Sequence, residues 1–83
     1  MKLTVEISMY PFNEDYVPPI HGIIERFNSY ADIKVKTVPT STLLTGEYDR
    51  LMAVLTKEIK HCFDTYGKAV YVAKFLPGME APL

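Results

Sequence analysis

Residues 39–49 read Pro39-Thr40-Ser41-Thr42-Leu43-Leu44-Thr45-Gly46-Glu47-Tyr48-Asp49. Their β-branched and apolar alternation predicts a strand over residues 41–45 that stops at Gly46. The strongest helical pattern of the chain begins directly after it. The boundary between this strand and the longest helix is therefore the junction relative to which the other elements are placed.

This junction is rich in hydroxyl groups. Five of its residues carry one: Thr40, Ser41, Thr42, Thr45 and Tyr48. Because a hydroxyl can both donate and accept a hydrogen bond, the group could fix a small polar ligand. The same composition is also explained by structure alone, since threonine favours strands and both serine and threonine favour turns.

Two further strands are predicted upstream of the junction. Residues 33–38 alternate, and only Pro39 and Thr40 separate them from the next strand, which makes the two strands antiparallel neighbours. Residues 2–10 also alternate, and Pro11 ends that strand because proline cannot donate to the ladder. Its apolar face carries Leu3, Val5, Ile7 and Met9.

Two helices are predicted from apolar residues at helical spacing. The first follows Asp15, which can cap it, has two prolines in its first turn and ends near residues 28–30. The second covers residues 47–66, and Gly67 is placed to end it.

The last strand is predicted over residues 68–76 and is apolar on both faces. Val70, Val72 and Leu76 point one way, and Tyr71, Ala73 and Phe75 point the other. A strand of this kind predicts a contact between subunits. Residues 79–83 are predicted to be a loose C-terminal tail.

The resulting order, β-α-β-β-α-β, predicts an α+β ferredoxin-like plait over residues 1–78. In this fold a four-stranded antiparallel sheet carries two helices on one face and leaves its other face open. The open face is predicted to carry Thr4, Glu6, Ser8 and Tyr10 of the first strand and Lys34 and Lys36 of the second.

Length and charge limit the classes of function. The 83 residues form one domain, which buries only about 60–65% of its unfolded surface, so oligomerisation is a common source of added stability. The net charge is −1, with lysine and arginine spread along the chain. Nucleic acid is therefore not expected as a partner, because its binding requires a basic face.

The chain is expected to be a cytoplasmic protein without a membrane partner. Its single cysteine, Cys62, excludes an intrachain disulfide and favours a reducing compartment. The N-terminus lacks the apolar core of a signal peptide, and no apolar run reaches the ~20 residues of a membrane span.

No catalytic constellation is evident, so an enzyme is not expected. His61 and Cys62 are adjacent and would point about 100° apart on a helix, which does not activate a nucleophile. The two histidines and one cysteine do not form a zinc pattern. The chain also lacks a glycine-rich phosphate loop and a nucleophile elbow, so neither a metal nor a cofactor is expected.

Several short motifs occur in a consistent order and spacing. They are Ser8-Met9-Tyr10-Pro11-Phe12, then Tyr16 and Ile20, then Lys36-Thr37, then Ser41-Thr42-Leu43-Leu44-Thr45-Gly46. This arrangement resembles the thiamine/hydroxymethylpyrimidine-binding YkoF-like family, which is related to the small thiamine-binding proteins. The resemblance covers residues 4–78. The name-giving members carry two such domains in tandem, so a single-domain member would take its second copy from another subunit.

The resemblance implies a non-catalytic protein that binds thiamine or its hydroxymethylpyrimidine moiety in thiamine uptake or salvage. The candidate ligand-binding residues are Ser8, Tyr10, Thr37, Ser41 and Thr42. Tyr48 could also cover the ligand ring, although its spacing with Met52 and Leu55 favours a core position. A thiazolium cation would favour an acid such as Glu6, Glu47 or Asp49, or an aromatic face.

Two alternatives stay open at this point. Ser41 and Thr42 alternate along a strand, so at most one is expected to face a single pocket directly. The chain could also be a homo-oligomeric structural or regulatory domain, a dimer or a tetramer, that binds no small molecule.

Overall fold

The computed structural model describes all residues, 1–83. The elements are, in order, β1 (Lys2–Pro11), α1 (Val17–Asn28), β2 (Lys34–Val38), β3 (Ser41–Glu47), α2 (Tyr48–Tyr66) and β4 (Ala69–Pro77). The predicted order of strands and helices is confirmed. Neither helix combines the length and the apolar character that crossing a bilayer requires.

The four strands form one sheet in the order β2-β3-β1-β4, and every neighbouring pair is antiparallel. The central strands are β1 and β3, while β2 and β4 are the edges. Both helices cover the same face of the sheet, which confirms the ferredoxin-like plait.

The core lies between this sheet face and the helices. Eleven buried residues form one cluster, to which β1 contributes Leu3, Val5 and Ile7. Phe27 of α1 and Leu51 of α2 pack into the same cluster. Because each large apolar side chain contributes about 1.5–3 kcal/mol when fully buried, this single layer supplies most of the stabilisation that positions the rest of the fold.

Gly46 does not end its strand as predicted. It lies inside β3 opposite Leu3, and β3 continues to Glu47, where α2 begins. A Cβ atom at position 46 would come within 2.7 Å of Cδ1 of Ile33. The glycine is therefore explained by the close approach of Ile33 to the strand rather than by a strand end.

The C-terminal residues are held against the sheet, in contrast to the loose tail predicted for them. Ala81 is buried, and its N–H donates to Oγ1 of Thr4 at 3.1 Å. The Thr4 hydroxyl also lies 2.8 Å from the carbonyl oxygen of Met79 and 3.0 Å from Oγ1 of Thr45. Thr4 is consequently buried on the sheet face that was predicted to be open.

Replacing Thr4 by valine is expected to release this tail and to lower the free energy of unfolding by about 1–2 kcal/mol. The isosteric change removes the hydroxyl and leaves the buried Ala81 N–H without its acceptor. Hydrogen exchange at the Ala81 amide and urea denaturation measure the two effects. An Ala81 amide that remains protected in Thr4→Val would contradict the role given to this hydroxyl.

Candidate ligand-binding hollow

A hollow of about 800 Å³ opens at one end of the sheet, beneath α1. We refer to it as the α1 hollow. It is lined by residues 7–11 of β1, residues 37–42 around the β2–β3 turn, and the inner side of α1. Its volume falls within the range of about 300–1,000 Å³ that is typical of small-molecule sites.

The hollow exists because β1 is longer than its neighbour β3. Strand β1 pairs with β3 only as far as Ile7, which lies opposite Thr42. Its pairing with β4 continues to Pro11, which lies opposite Ala69. The last residues of β1 therefore have a neighbouring strand on one side only. The space beside them, where β3 would otherwise have continued, is the α1 hollow.

The floor of the hollow is apolar. Ile7 and Met9 of β1 contribute to it from the sheet, and Ile23 and Phe27 of α1 contribute from the helix. Ile7, Ile23 and Phe27 are buried members of the core cluster, so the floor is the edge of the core itself. A surface of this kind fits the face of a flat apolar ring.

Thr37 and Thr42 form a pair of hydroxyls at the sheet side of the hollow. They are directly opposite on β2 and β3, and their Oγ1 atoms are 3.4 Å apart. Because one hydroxyl can donate to the other, the pair keeps one proton and several lone pairs for a further partner. Thr42 is buried, so a ligand group that reached it would be removed from water.

Ser8 and Ser41 also line the hollow, but their side chains alternate with those of Ile7 and Thr42 and point to the sheet face away from the helices. Ser8 Oγ donates to the carbonyl oxygen of Thr40 at 2.9 Å, and Ser41 Oγ lies 3.4 Å from Oε2 of Glu6. With their protons used in this way, both hydroxyls keep their acceptor lone pairs. They act most readily as acceptors for an N–H donor.

The rim carries aromatic side chains. Tyr10 and Tyr16 line the hollow and are exposed, so their rings are available to cover a bound molecule. His21 of α1 also lines the hollow and is exposed. Asp, Glu, Lys and Arg are not among the lining residues, so hydroxyls, rings and aliphatic groups determine which ligand fits.

All five candidate residues line the α1 hollow: Ser8, Tyr10, Thr37, Ser41 and Thr42. Ser41 and Thr42 alternate along β3, and only the Thr42 side chain points to the helix-covered face, as that of its partner Ile7 does. Tyr16 and His21 were not among the candidates. The signal for Tyr16 was its place in the series of short motifs, whereas His21 was recognisable only as a flanking residue of the first helix.

Tyr48, Glu47 and Asp49 lie outside the hollow. Tyr48 packs against the core, and its N–H donates to the carbonyl oxygen of Met1 at the opposite end of β1. Glu47 accepts from the N-terminal ammonium at 3.3 Å and lies 3.5 Å from Nζ of Lys2. The N-terminal ammonium, with Lys2, lowers the pKa of Glu47. These residues are too distant to meet a ligand in the α1 hollow.

Glu6, the third acid considered for the ligand cation, and Cys62 do not line the hollow either. Glu6, on the sheet face away from the helices, lies 3.5 Å from Nζ of Lys74. Cys62 is buried in the core cluster, and burial raises the pKa of its thiol. His61, the next residue along α2, is exposed.

No protein-family model and no curated protein matches the chain. Solved structures do match it. A Streptococcus pneumoniae protein has a TM-score of 0.86 at 20% identity, with 95% of this chain and 89% of that chain covered. A Thermotoga maritima protein, provisionally assigned to thiamine biosynthesis or salvage, has a TM-score of 0.82 at 23% identity, with coverages of 90% and 82%.

A Bacillus cereus domain of unknown function is similar as well. Its TM-score is 0.76 at 18% identity, with 100% of this chain and 84% of that chain covered. At these identities the three likenesses show the fold of the chain, and fold alone does not determine function.

Proposed function

We propose that this protein binds thiamine or its hydroxymethylpyrimidine moiety without converting it, in cytoplasmic thiamine uptake or salvage. The observation that carries the proposal is that five serine and threonine residues, an apolar floor and two exposed tyrosines line one hollow. The motif resemblance supports it, as does the fold shared with the Thermotoga maritima protein.

The polar edge of an aminopyrimidine matches the hydroxyls of the α1 hollow. Its exocyclic amine is a donor, and the Thr37 and Thr42 hydroxyls keep acceptor lone pairs after their own hydrogen bond. Its ring nitrogens are acceptors, and the Thr37–Thr42 pair has one proton to give. The flat ring would lie against the apolar floor formed by α1 and β1.

The tyrosines at the rim would complete the site. Tyr10 or Tyr16 can cover the exposed face of the ring and exclude water from its hydrogen bonds. In intact thiamine, the thiazolium cation would lie against an aromatic face, where a cation–π contact contributes about 0.5–2 kcal/mol. This assignment replaces the acids Glu47 and Asp49, which lie outside the hollow, as the partners of the cation.

Calorimetric titration with thiamine and with hydroxymethylpyrimidine tests this function. Both are expected to bind saturably at one site per chain, because the proposed contacts involve the pyrimidine that the two ligands share. Uracil is a matched control ligand, since it presents a carbonyl where the aminopyrimidine presents an amine, and its binding should be much weaker. If neither pyrimidine ligand produces heat at millimolar concentration, the proposed function is wrong.

A second candidate function is that of a homo-oligomeric structural or regulatory domain, as a dimer or a tetramer. One specific observation favours it. The large apolar residues Val70, Val72, Phe75 and Leu76 of edge strand β4 are 41–53% exposed. Such a patch on a short chain indicates an interaction site. The two candidate functions are compatible, because β1 separates β4 from β3 in the sheet.

A further inference from the structure

The first turn of α1 lies at the mouth of the α1 hollow. Tyr16, the residue directly before the helix, and Ile20, at the end of its first turn, both line the hollow. The N-terminus of a helix ordinarily attracts anions, because its first N–H groups have no partner inside the helix. This mouth is therefore the place where the fold could hold the phosphate group of a ligand.

This end of α1 has no N–H group left for an anion. Pro18 and Pro19 are the second and third residues of the helix and have no N–H. The N–H of Val17 donates to Oδ1 of Asp15 at 3.3 Å. The N–H of Ile20 donates to the carbonyl oxygen four residues earlier, at 3.4 Å. The first turn of α1 consequently offers no unpaired donor to a phosphate.

The charges beside the mouth are mainly negative. Glu14 and Asp15 lie directly before Tyr16, a rim residue, on the loop between β1 and α1. Both acids are exposed, and neither takes part in an ion pair of the chain. His21 is the only lining residue that can carry a positive charge. Two carboxylates oppose this one imidazole, so the mouth repels an anion.

The neighbouring cations do not reverse this balance. Lys36 is next to Thr37 on β2, but side chains alternate along a strand, so this lysine points to the sheet face away from the helices. Lys68 precedes β4, which lies on the side of β1 away from the hollow. Arg26 of α1 is paired with Glu58 of α2. None of the three cations faces the mouth.

We infer that the α1 hollow binds thiamine and hydroxymethylpyrimidine in their unphosphorylated forms and excludes their phosphate esters. The inference rests on the proposed function, since it concerns the ligands of the same hollow. The blocked N-terminus of α1 withholds the donors that a phosphate needs, and Glu14 and Asp15 repel its charge. Selectivity is thus determined at the mouth and not by the hydroxyls inside.

The two phosphate esters place their charge at different depths. In hydroxymethylpyrimidine phosphate only one methylene separates the ester from the ring, so a bound ring would take the phosphate into the hollow. An anion that leaves water without meeting a cation is costly, and this ester should bind at least about 100-fold more weakly than hydroxymethylpyrimidine. In thiamine monophosphate the charge lies beyond the thiazolium ring, at the hydrated mouth. A loss of about tenfold relative to thiamine is expected there.

Calorimetric titration of the wild type with these four compounds measures both affinity ratios. If neither thiamine nor hydroxymethylpyrimidine binds, the proposed function is wrong and this inference falls with it. If both bind and their esters bind equally tightly, this inference alone is overturned. Tight binding of the unphosphorylated compounds and weak binding of both esters agrees with it.

Two substitutions outside the lining of the hollow test the cause of the selectivity. Glu14→Lys should tighten the binding of thiamine monophosphate about three- to tenfold at low ionic strength and leave that of hydroxymethylpyrimidine unchanged. Pro18→Ala returns one N–H to the exposed start of α1 and should act in the same direction. Asp49→Lys makes the same charge reversal at the start of α2, outside the hollow, and serves as the control.

Circular dichroism checks that each variant is folded, and binding of hydroxymethylpyrimidine checks that its hollow is intact. Tighter ester binding in Glu14→Lys and Pro18→Ala than in Asp49→Lys agrees with exclusion at the mouth. If neither variant binds the ester more tightly than Asp49→Lys does, the acids of the loop and the blocked helix end are not what excludes phosphate.

Discussion

Replacing Arg26 by methionine is expected to lower the free energy of unfolding by about 3–5 kcal/mol, the range found when a buried charge loses its partner. Arg26 Nε donates to Oε1 of Glu58 at 2.7 Å, and its second nitrogen donates to Oε2 at 3.3 Å. Tyr30 also donates its hydroxyl to Glu58. Removing the arginine leaves a carboxylate with 0% exposure and no cation.

The opposite substitution should be less harmful. Glu58→Gln removes the negative charge opposite Arg26, but the side chain of Arg26 is 42% exposed and can be solvated in place. We expect the free energy of unfolding to fall by about 1.5–3 kcal/mol. This is the range for weakened charge-assisted hydrogen bonds when no unpaired charge is left buried. The loss in the free energy of unfolding should therefore be larger when Arg26 is replaced than when Glu58 is replaced.

Arg50→Met is the matched control for Arg26→Met. Arg50 donates to Asp32 at the same distance of 2.7 Å, but both side chains are about half exposed, at 49% and 54%. Exposed pairs of this kind contribute about 0–1 kcal/mol. Urea denaturation followed by circular dichroism compares the variants. If Arg26→Met loses no more stability than Arg50→Met, the importance assigned to the buried pair is wrong.

The contribution of Glu58 to the pH dependence of stability should change sign between the wild type and Arg26→Met. Burial raises the pKa of Glu58, but the hydrogen bonds from Arg26 and Tyr30 outweigh burial and hold it below its ordinary value of 4.5. In the wild type this contribution is present above that value and is lost as the pH falls through the folded-state pKa. In Arg26→Met burial should raise the pKa of Glu58, so protonation at low pH should increase stability.

Replacing Thr42 by valine is expected to weaken the binding of thiamine and of hydroxymethylpyrimidine about 10- to 100-fold. Valine keeps the shape of the side chain and the packing of β3 but removes a buried hydroxyl from the α1 hollow. A polar group of the ligand that enters this site would then be desolvated without a partner, which costs about 1–3 kcal/mol. Calorimetric titration measures the change in dissociation constant.

Thr65→Val makes the same chemical change outside the hollow and serves as its control. Thr65 is exposed on α2 and donates to the carbonyl oxygen of His61 at 2.9 Å. Its substitution should leave the dissociation constant unchanged. Unaltered binding in Thr42→Val, with the fold intact, would show that the hydroxyl pair does not contact the ligand.

Most of the fold could be predicted because periodicity and burial agree along this chain. The alternation of Leu3, Val5 and Ile7 identified both β1 and its buried face, and the apolar stripe of α2 identified the longest helix. What failed depended on distant contacts. Gly46 was taken for a strand end, since nothing local indicates that Ile33 packs against it. The last residues were taken for a loose tail, since their partner Thr4 lies at the other end of the chain.

The candidate site could be predicted by residue type but not by geometry. The motifs selected Ser8, Tyr10, Thr37, Ser41 and Thr42, and all five line the α1 hollow. The hollow itself depends on β1 extending past its pairing with β3, which is a property of register. Strand register is set by pairing across the sheet, and a single strand does not reveal it. Tyr16 belonged to the motif series without being selected for the site, and His21 could not be recognised before α1 was placed.

An amide-resolved NMR titration with hydroxymethylpyrimidine tests the central claim most directly. If the ligand occupies the α1 hollow, the largest shift changes will fall on residues 7–10 and 37–42 and on the inner side of α1. The amides of β4 and of α2 should change little. Saturating changes confined to β4 and α2, or no change at millimolar ligand, would contradict the claim.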